Sequence, residues 1–193
     1  MTRLHHAALL VRSVEDLLPA LAARGWEAAP IRSYAKEATR ETYVAARGAG
    51  EQAPGRLLLV EPAGEGPYAR ALAERGPGLH HLGLLAADLS AFAASLPASG
   101  WFVHPFSLRG GAKLDDLWLF RPGFPALVEV FQGAVSEQPP ALIQSVELPL
   151  AGRLRALLPG LGCEALLAAA GRKTILRTTD GAVPVEALLR SPA

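Results

Sequence analysis

The chain has 193 residues, half of them hydrophobic, and a formal charge of +1 from 19 basic and 18 acidic side chains. That apolar share excludes a chain disordered throughout, and the balanced charge, with no basic run or Arg/aromatic stripe, argues against nucleic acid as a partner. No run reaches the ~18 apolar residues of a membrane span, and a strand pattern starts almost at the N-terminus, so a cytoplasmic protein is expected.

In chain order, Leu4 to Val11 reads as an apolar strand. Ser13 then offers a helix cap, and Val14, Leu17, Leu18 and Leu21 recur at helical spacing. Pro19 inside that stretch is compatible with a helix only if it lies in the first turn of one that starts late. Gly25 breaks the helix, and strands follow over Trp26 to Ser33, Glu41 to Ala45 and Arg56 to Glu61. The pattern then returns: strand Leu79 to Ala86, cap Asp88, helical spacing of Leu89, Phe92, Ala93 and Leu96, break at Gly100, and strands Trp101 to Phe106, Asp116 to Phe120 and Leu127 to Gln132. Beyond a linker at Pro139-Pro140, the remainder reads as strand Leu142 to Leu148, a helix near Arg153 to Leu158, and strands across Thr174 to Thr178 and Val183 to Val185. Cys163, the single cysteine, has the apolar surroundings of a buried, inert thiol.

The recurrence is a duplication. With an offset of 75, Leu4 to Pro30 and Leu79 to Pro105 share 10 of 27 residues, including His-His and Gly-Trp, which chance seldom produces in a Leu/Ala-rich chain. The expected architecture is α+β. Two βαβββ modules, about 3–62 and 78–133, pair within a domain of residues 1–135 into a curved mixed sheet around a cleft. Residues 136–193 form a C-terminal β/α extension, read as a truncated third module or a lid.

Four of the five histidines lie in the repeated pairs. Strict alternation along a strand sends His5 and His6 to opposite faces, and likewise His80 and His81, so one of each pair faces inward. Related by a pseudo-two-fold, equivalent histidines could converge on one point, and two imidazoles with a carboxylate leave coordination positions for substrate. Glu129 is the best carboxylate, because an acid amid Leu127, Val128, Val130 and Phe131 is costly to bury unless paired or metal-bound. Glu61 sits at a strand end where water is within reach. Glu41 could act as general base if its face is the cleft face, and otherwise is an exposed strand acid. Tyr43, His104 and Arg109 are candidate substrate contacts, and Gly110-Gly111 lacks the Lys-Ser/Thr of a phosphate loop. Should the cleft instead be a metal-free binding site, Trp26 and Trp101 would line it.

The stretches Leu4-His5-His6-Ala7-Ala8-Leu9-Leu10-Val11, Gly78-Leu79-His80-His81-Leu82-Gly83-Leu84 and Leu127-Val128-Glu129-Val130 resemble the vicinal oxygen chelate superfamily, which includes glyoxalase I, methylmalonyl-CoA epimerase, extradiol dioxygenases and antibiotic-resistance proteins. Over the whole chain the likeness is greatest to glyoxalase-like domain proteins. The resemblance implies the glyoxalase-like fold and a divalent metal (Fe, Zn, Ni, Co or Mn) held by His6, His81 and Glu129. It also implies a small oxo or hydroxy substrate, with isomerase or lyase chemistry or ring-cleaving dioxygenation, and assembly as a homodimer. Glu41 falls near the epimerases' catalytic glutamate. A further ligand in glyoxalase I and the epimerases aligns with Leu58, which cannot coordinate, unless a slipped register brings Glu61 into its place.

Overall fold

A computed structural model describes residues 1–50, 53–109, 116–134 and 141–190; for Arg109 only the backbone is described. The linker at Pro139-Pro140 and the Gly110-Gly111 pair lie outside the described residues.

The first module contains β1 (Thr2–Leu10), α1 (Leu18–Ala22), β2 (Trp26–Ala28), β3 (Arg32–Tyr34), β4 (Thr39–Ala46) and β5 (Arg56–Pro62). Helix α1 does start late, with Pro19 in its first turn where the missing N–H has no intrahelical partner to lose. The predicted strand Trp26 to Ser33 divides into β2 and β3 around Pro30, which cannot donate to a ladder. Next comes an element the sequence reading does not anticipate, α2 (Pro67–Arg75), opened by a proline at its start and closed at Gly76, φ 74°. The second module comprises β6 (Gly78–Ala86), α3 (Leu89–Ser95), β7 (Phe102–Val103), β8 (Asp116–Phe120) and β9 (Leu127–Gln132). Asp88 caps α3 by accepting the Ala91 N–H.

Among the described residues β1 to β9 form one mixed sheet in the order β2-β4-β5-β1-β6-β9-β8-β7, with β3 also on β4. Antiparallel β1 and β6 meet at its centre; β5 runs parallel to β1, and β9 parallel to β6. The sheet is therefore two copies of one arrangement related by an approximate two-fold between β1 and β6. Leu4, Ala7, Leu9, Leu82 and Leu84 face the main core together with Trp26 and Trp101, while Ala8, Leu10, Leu58 and Val60 make a smaller cluster on the cleft face, under Tyr43 and Tyr68.

The extension builds β10 (Ile143–Pro149), a 3₁₀ segment over Gly152–Leu161, β11 (Leu166–Ala169), β12 (Ile175–Thr178), β13 (Gly181–Pro184) and α4 (Val185–Leu188). The segment expected to be an α-helix near Arg153 is thus 3₁₀, with Pro159 inside it. Its sheet has the order β11-β10-β12-β13, so its first strand is interior, whereas β1 and β6 each end their own module's set of strands. Leu142, Ile143, Val146, Leu148 and Leu161 join the same hydrophobic cluster as the modules' outer face. The Nε1–H of Trp26 donates to Asp180 (2.7 Å) and that of Trp101 to the Leu157 carbonyl (3.1 Å). Both tryptophans are therefore core residues gripping the extension, not cleft lining. No helix among the described residues is long and apolar enough to cross a membrane.

Candidate metal centre

The expectation that each histidine pair splits across the sheet is overturned. The β1–β6 register slips between Leu4 and His6 and again between Ala8 and Leu9, opposite His81 and Leu79, so His5 and His80 are each the extra residue of a β-bulge. A bulge inserts one residue without reversing the face, and both members of each pair emerge into the cleft. His5 and His6 both lie against Tyr43 and Phe131, and their Nδ1 atoms are 2.8 Å apart. His80 and His81 repeat the arrangement with Nδ1 atoms 3.0 Å apart.

Beyond the bulges the candidate ligands converge. His6 Nε2 lies 3.0 Å from His81 Nε2, and Glu129 Oε2 lies 3.8 Å from each. A triangle with those sides has its circumcentre ~2.1 Å from every corner, the bond length of a divalent transition metal to imidazole nitrogen or carboxylate oxygen. This group, His6, His81 and Glu129, could hold a metal ion. Two nitrogens and one oxygen suit zinc, iron, cobalt or nickel better than the all-oxygen preference of magnesium or calcium.

The electrostatics fit a cation. Burial, reinforced by His81, His5 and Arg56 for His6 and by His80 for His81, holds both imidazoles well below the usual histidine range, so they are neutral at pH 7, as metal ligation requires. Burial, helped by Arg56 and Arg75 respectively, lowers His5 and His80 to about 4. Burial pushes the Glu129 carboxyl up to about 8, with Asp116, Glu37 and Glu41 adding to the rise. A dication bound there would offset the cost of burying that carboxylate's charge.

Gly83 makes room for the first ligand. It pairs with His6 across β1 and β6, and a Cβ there would come within 2.1 Å of the His6 ring. Leu58 stands opposite Ala8 as Glu129 stands opposite Gly83, so the two-fold mate of the glutamate is a leucine packed on the cleft face. Glu61 does not take its place. It faces away from the cleft, accepting from the Val14 N–H (2.8 Å) and the Arg40 guanidinium (2.9 Å), which closes the slipped-register alternative.

Glu41 and Tyr43 pair with Val60 and Leu58, and Tyr43 packs on the cleft-face cluster; two-residue alternation gives Glu41 the same face. Burial raises the Glu41 carboxyl, against the Thr39 hydroxyl that donates to it at 2.7 Å. Burial likewise pushes the Tyr43 phenol up to about 12. His104 is brought to Phe120 and to the Phe106 N–H rather than to the histidine cluster, and the Arg109 side chain lies outside the described residues. Sequence reasoning misses Arg56, whose guanidinium reaches His5 Nε2 (2.6 Å) and lies over the Tyr43 ring. It also misses Phe131, Trp118 against His81, and Tyr68 of α2 against His80. Parity alone could have supplied Phe131 and Trp118, which alternate with core residues on β9 and β8. A cavity of about 590 Å³, lined by Glu41, Tyr43, Arg56, Arg32 and Tyr34 among others, opens beside the cluster, within the size range of small-molecule sites.

The profile of the Glyoxalase/Bleomycin resistance protein/Dioxygenase superfamily matches residues 5–118. Among solved structures, the chain is similar to a methylmalonyl-CoA epimerase in complex with methylmalonyl-CoA and NH4+ (TM-score 0.56, 23% identity, 72% of this chain and 99% of that one). It is also similar to a variant of the Streptomyces coelicolor methylmalonyl-CoA epimerase in complex with 2-nitronate-propionyl-CoA (0.55, 23%, 70% and 99%), and to a hypothetical protein from Bacillus halodurans C-125 (0.55, 19%, 71% and 98%). At these identities the likeness establishes the fold. No curated protein matches the chain.

Proposed function

Because the chain belongs to the glyoxalase/bleomycin resistance protein/dioxygenase superfamily, we propose that it is a divalent-metal-dependent enzyme acting on a small oxo or hydroxy compound held through two adjacent oxygens, with proton transfer of the isomerase or lyase type as its chemistry. The observation that carries this reading is the convergence of His6 Nε2, His81 Nε2 and Glu129 Oε2 on one point at bonding distance. A divalent ion held there supplies positive charge to the substrate oxygens and to the negative charge that accumulates as a neighbouring C–H bond breaks.

The chain's own residues provide the rest. Glu41, on the cleft face, takes the proton; its raised basicity suits it to that task, and the Thr39 hydroxyl orients the receiving carboxylate. Tyr43, Phe131 and Trp118 wall the histidines with aromatic rings and keep bulk water from the reacting carbon.

A second reading, ring-cleaving dioxygenation, is favoured by Leu58, which leaves two histidines and one carboxylate as in non-haem iron oxygenases. A third, metal-free binding of a small molecule, draws on the 3.0 Å approach of His6 and His81 nitrogens, which can satisfy each other by a hydrogen bond.

Reconstitution with Fe, Mn, Co, Ni or Zn followed by elemental analysis separates the three. The expected result is one equivalent of metal in the wild type and none in His81→Ala. Deuterium should then be incorporated from heavy water into methylmalonyl-CoA or a member of a 2-oxo and 2-hydroxy acid panel, without oxygen uptake. Oxygen uptake with iron alone would move the chain to the second reading, and failure to retain any ion would move it to the third.

A further inference from the structure

The hydrogen bonds behind the two ligand histidines are not equivalent. Each ligand turns Nε2 to the shared point and Nδ1 to the preceding, bulged histidine. On the second-module side, His80 is covered by the ring of Tyr68, centroids 4.8 Å apart, and a ring face imposes no donor on it. On the first-module side, the Arg56 guanidinium sits 2.6 Å from His5 Nε2, with its carbon 4.0 Å from the Tyr43 ring centroid.

A guanidinium can only donate, so His5 Nε2 accepts, and a neutral imidazole then carries its hydrogen on Nδ1. That hydrogen points at His6 Nδ1, 2.8 Å away, which accepts in turn and keeps its own hydrogen on Nε2, facing His81. A metal ligand must present a lone pair there instead. Ligation through His6 Nε2 needs the hydrogen of His6 on Nδ1 and that of His5 on Nε2, which would set two donors against each other at the Arg56 contact. Each imidazole carries one hydrogen in both arrangements, so the change relocates hydrogens without altering their number.

We propose that Arg56, acting through His5, is a latch on metal capture: it holds His6 in the tautomer that cannot ligate, and it must leave His5 before His6, His81 and Glu129 can close on a divalent ion. The inference rests on the metal reading of that triad. Arg56 is a positioning residue, and its place in the sequence, at the start of β5 opposite His6, comes from the parallel register of β1 and β5.

Titration with Co(II), followed by its visible absorption, tests the latch in the wild type, Arg56→Gln and Arg56→Met. The glutamine variant retains a polar head, should the methionine variant fold poorly, and its amide oxygen can accept from His5 Nε2. Both variants are expected to bind Co(II) about tenfold or more tighter than wild type, the scale of outer-shell effects on metal sites. Loss of a positive charge beside a cation tightens binding by itself, so the comparison is repeated in a His5→Phe background. There the latch has no relay, and Arg56→Gln should show only the smaller gain that the lost charge produces; the same gain in both backgrounds overturns the proposal. Two-bond ¹⁵N–¹H correlation spectra of the metal-free wild type should place the His6 hydrogen on Nε2, and finding it on Nδ1 overturns the proposal as well. Equal Co(II) affinity in wild type and variants sinks the latch alone, whereas absence of Co(II) binding in all of them sinks the metal reading with it.

Discussion

Glu129 and the four clustered histidines shift in opposite directions, and the metal-free protein should show both in its pH-dependent stability. The folded chain keeps the Glu129 proton to about pH 8, while the unfolded carboxyl loses it near 4.5. Between those values the folded state holds the extra proton, so stability falls as pH rises, by about 1.4 kcal/mol per pH unit. The histidines work the other way. Folded His5 and His80 stay neutral down to about 4, and burial likewise holds His6 and His81 well below the usual histidine range, whereas the unfolded side chains protonate near 6.5. Their contribution is present above 6.5 and is lost as pH falls. Urea midpoints of the metal-free protein should therefore peak near pH 6.5, with a steep acid limb and a shallow alkaline one, and a flat profile would contradict the burial of these groups. Gly83 offers a second test at this scale, since its missing side chain is the space the His6 ring occupies. Gly83→Ala should lose about 1–3 kcal/mol of stability by overpacking and weaken metal retention together, as read by urea unfolding and elemental analysis.

At the scale of elements, the bulges decide which side chains reach the cleft. Without His5, Leu4, His6 and Ala7 would alternate core, cleft, core as an uninterrupted strand does. Deletion of His5 is therefore expected to leave β1 paired and His6 in the cleft, with metal still bound, and unfolding and Co(II) titration would check it. A deletion that instead turned His6 to the core would abolish metal binding and refute the bulge assignment. Helix α2 was legible in part: Pro67 as a start, Tyr68, Ala71, Leu72 and Arg75 at helical spacing, and Gly76 as a stop. It belongs to neither copy of the repeat, so a reading guided by the duplication passes over it, although Tyr68 from this helix covers His80.

Across the whole molecule, the approximate two-fold pairs Tyr43 with Trp118, each opposite the residue at the carboxylate position, and Leu58 with Glu129. The first pair keeps an aromatic wall on both sides, and the second breaks the symmetry by supplying one carboxylate where two could stand. Leu58→Gln should restore the missing donor. Burying an unpaired amide is expected to destabilise the metal-free protein by about 1–3 kcal/mol, and zinc or cobalt should return much of that loss as a rise in melting temperature larger than wild type shows. An equal metal-induced rise in both proteins would mean that residue 58 does not face the ion.

The duplication itself, the histidine pairs it repeats and Glu129 as a lone acid amid apolar strand residues could be read from residue types and spacing, because repeats and composition are carried by the chain itself, whereas the choice of His6 and His81 within the pairs came from the family resemblance and the face of Glu41 stayed open. The fate of Glu61 could not: the Arg40 guanidinium and the Val14 N–H that claim it belong to other elements. Nor could the shared side of each histidine pair, since a bulge is a mismatch of register between strands 75 residues apart and leaves no mark in either strand alone. Trp26 and Trp101, expected to line the cleft of a metal-free site, belong to the core because the extension packs on the outer face and accepts their N–H groups. Arg56 gained its place beside His5 only when β5 paired with β1. Tertiary structure decided these points because each depends on what a side chain meets across the sheet, and that is determined by pairing rather than by sequence neighbours.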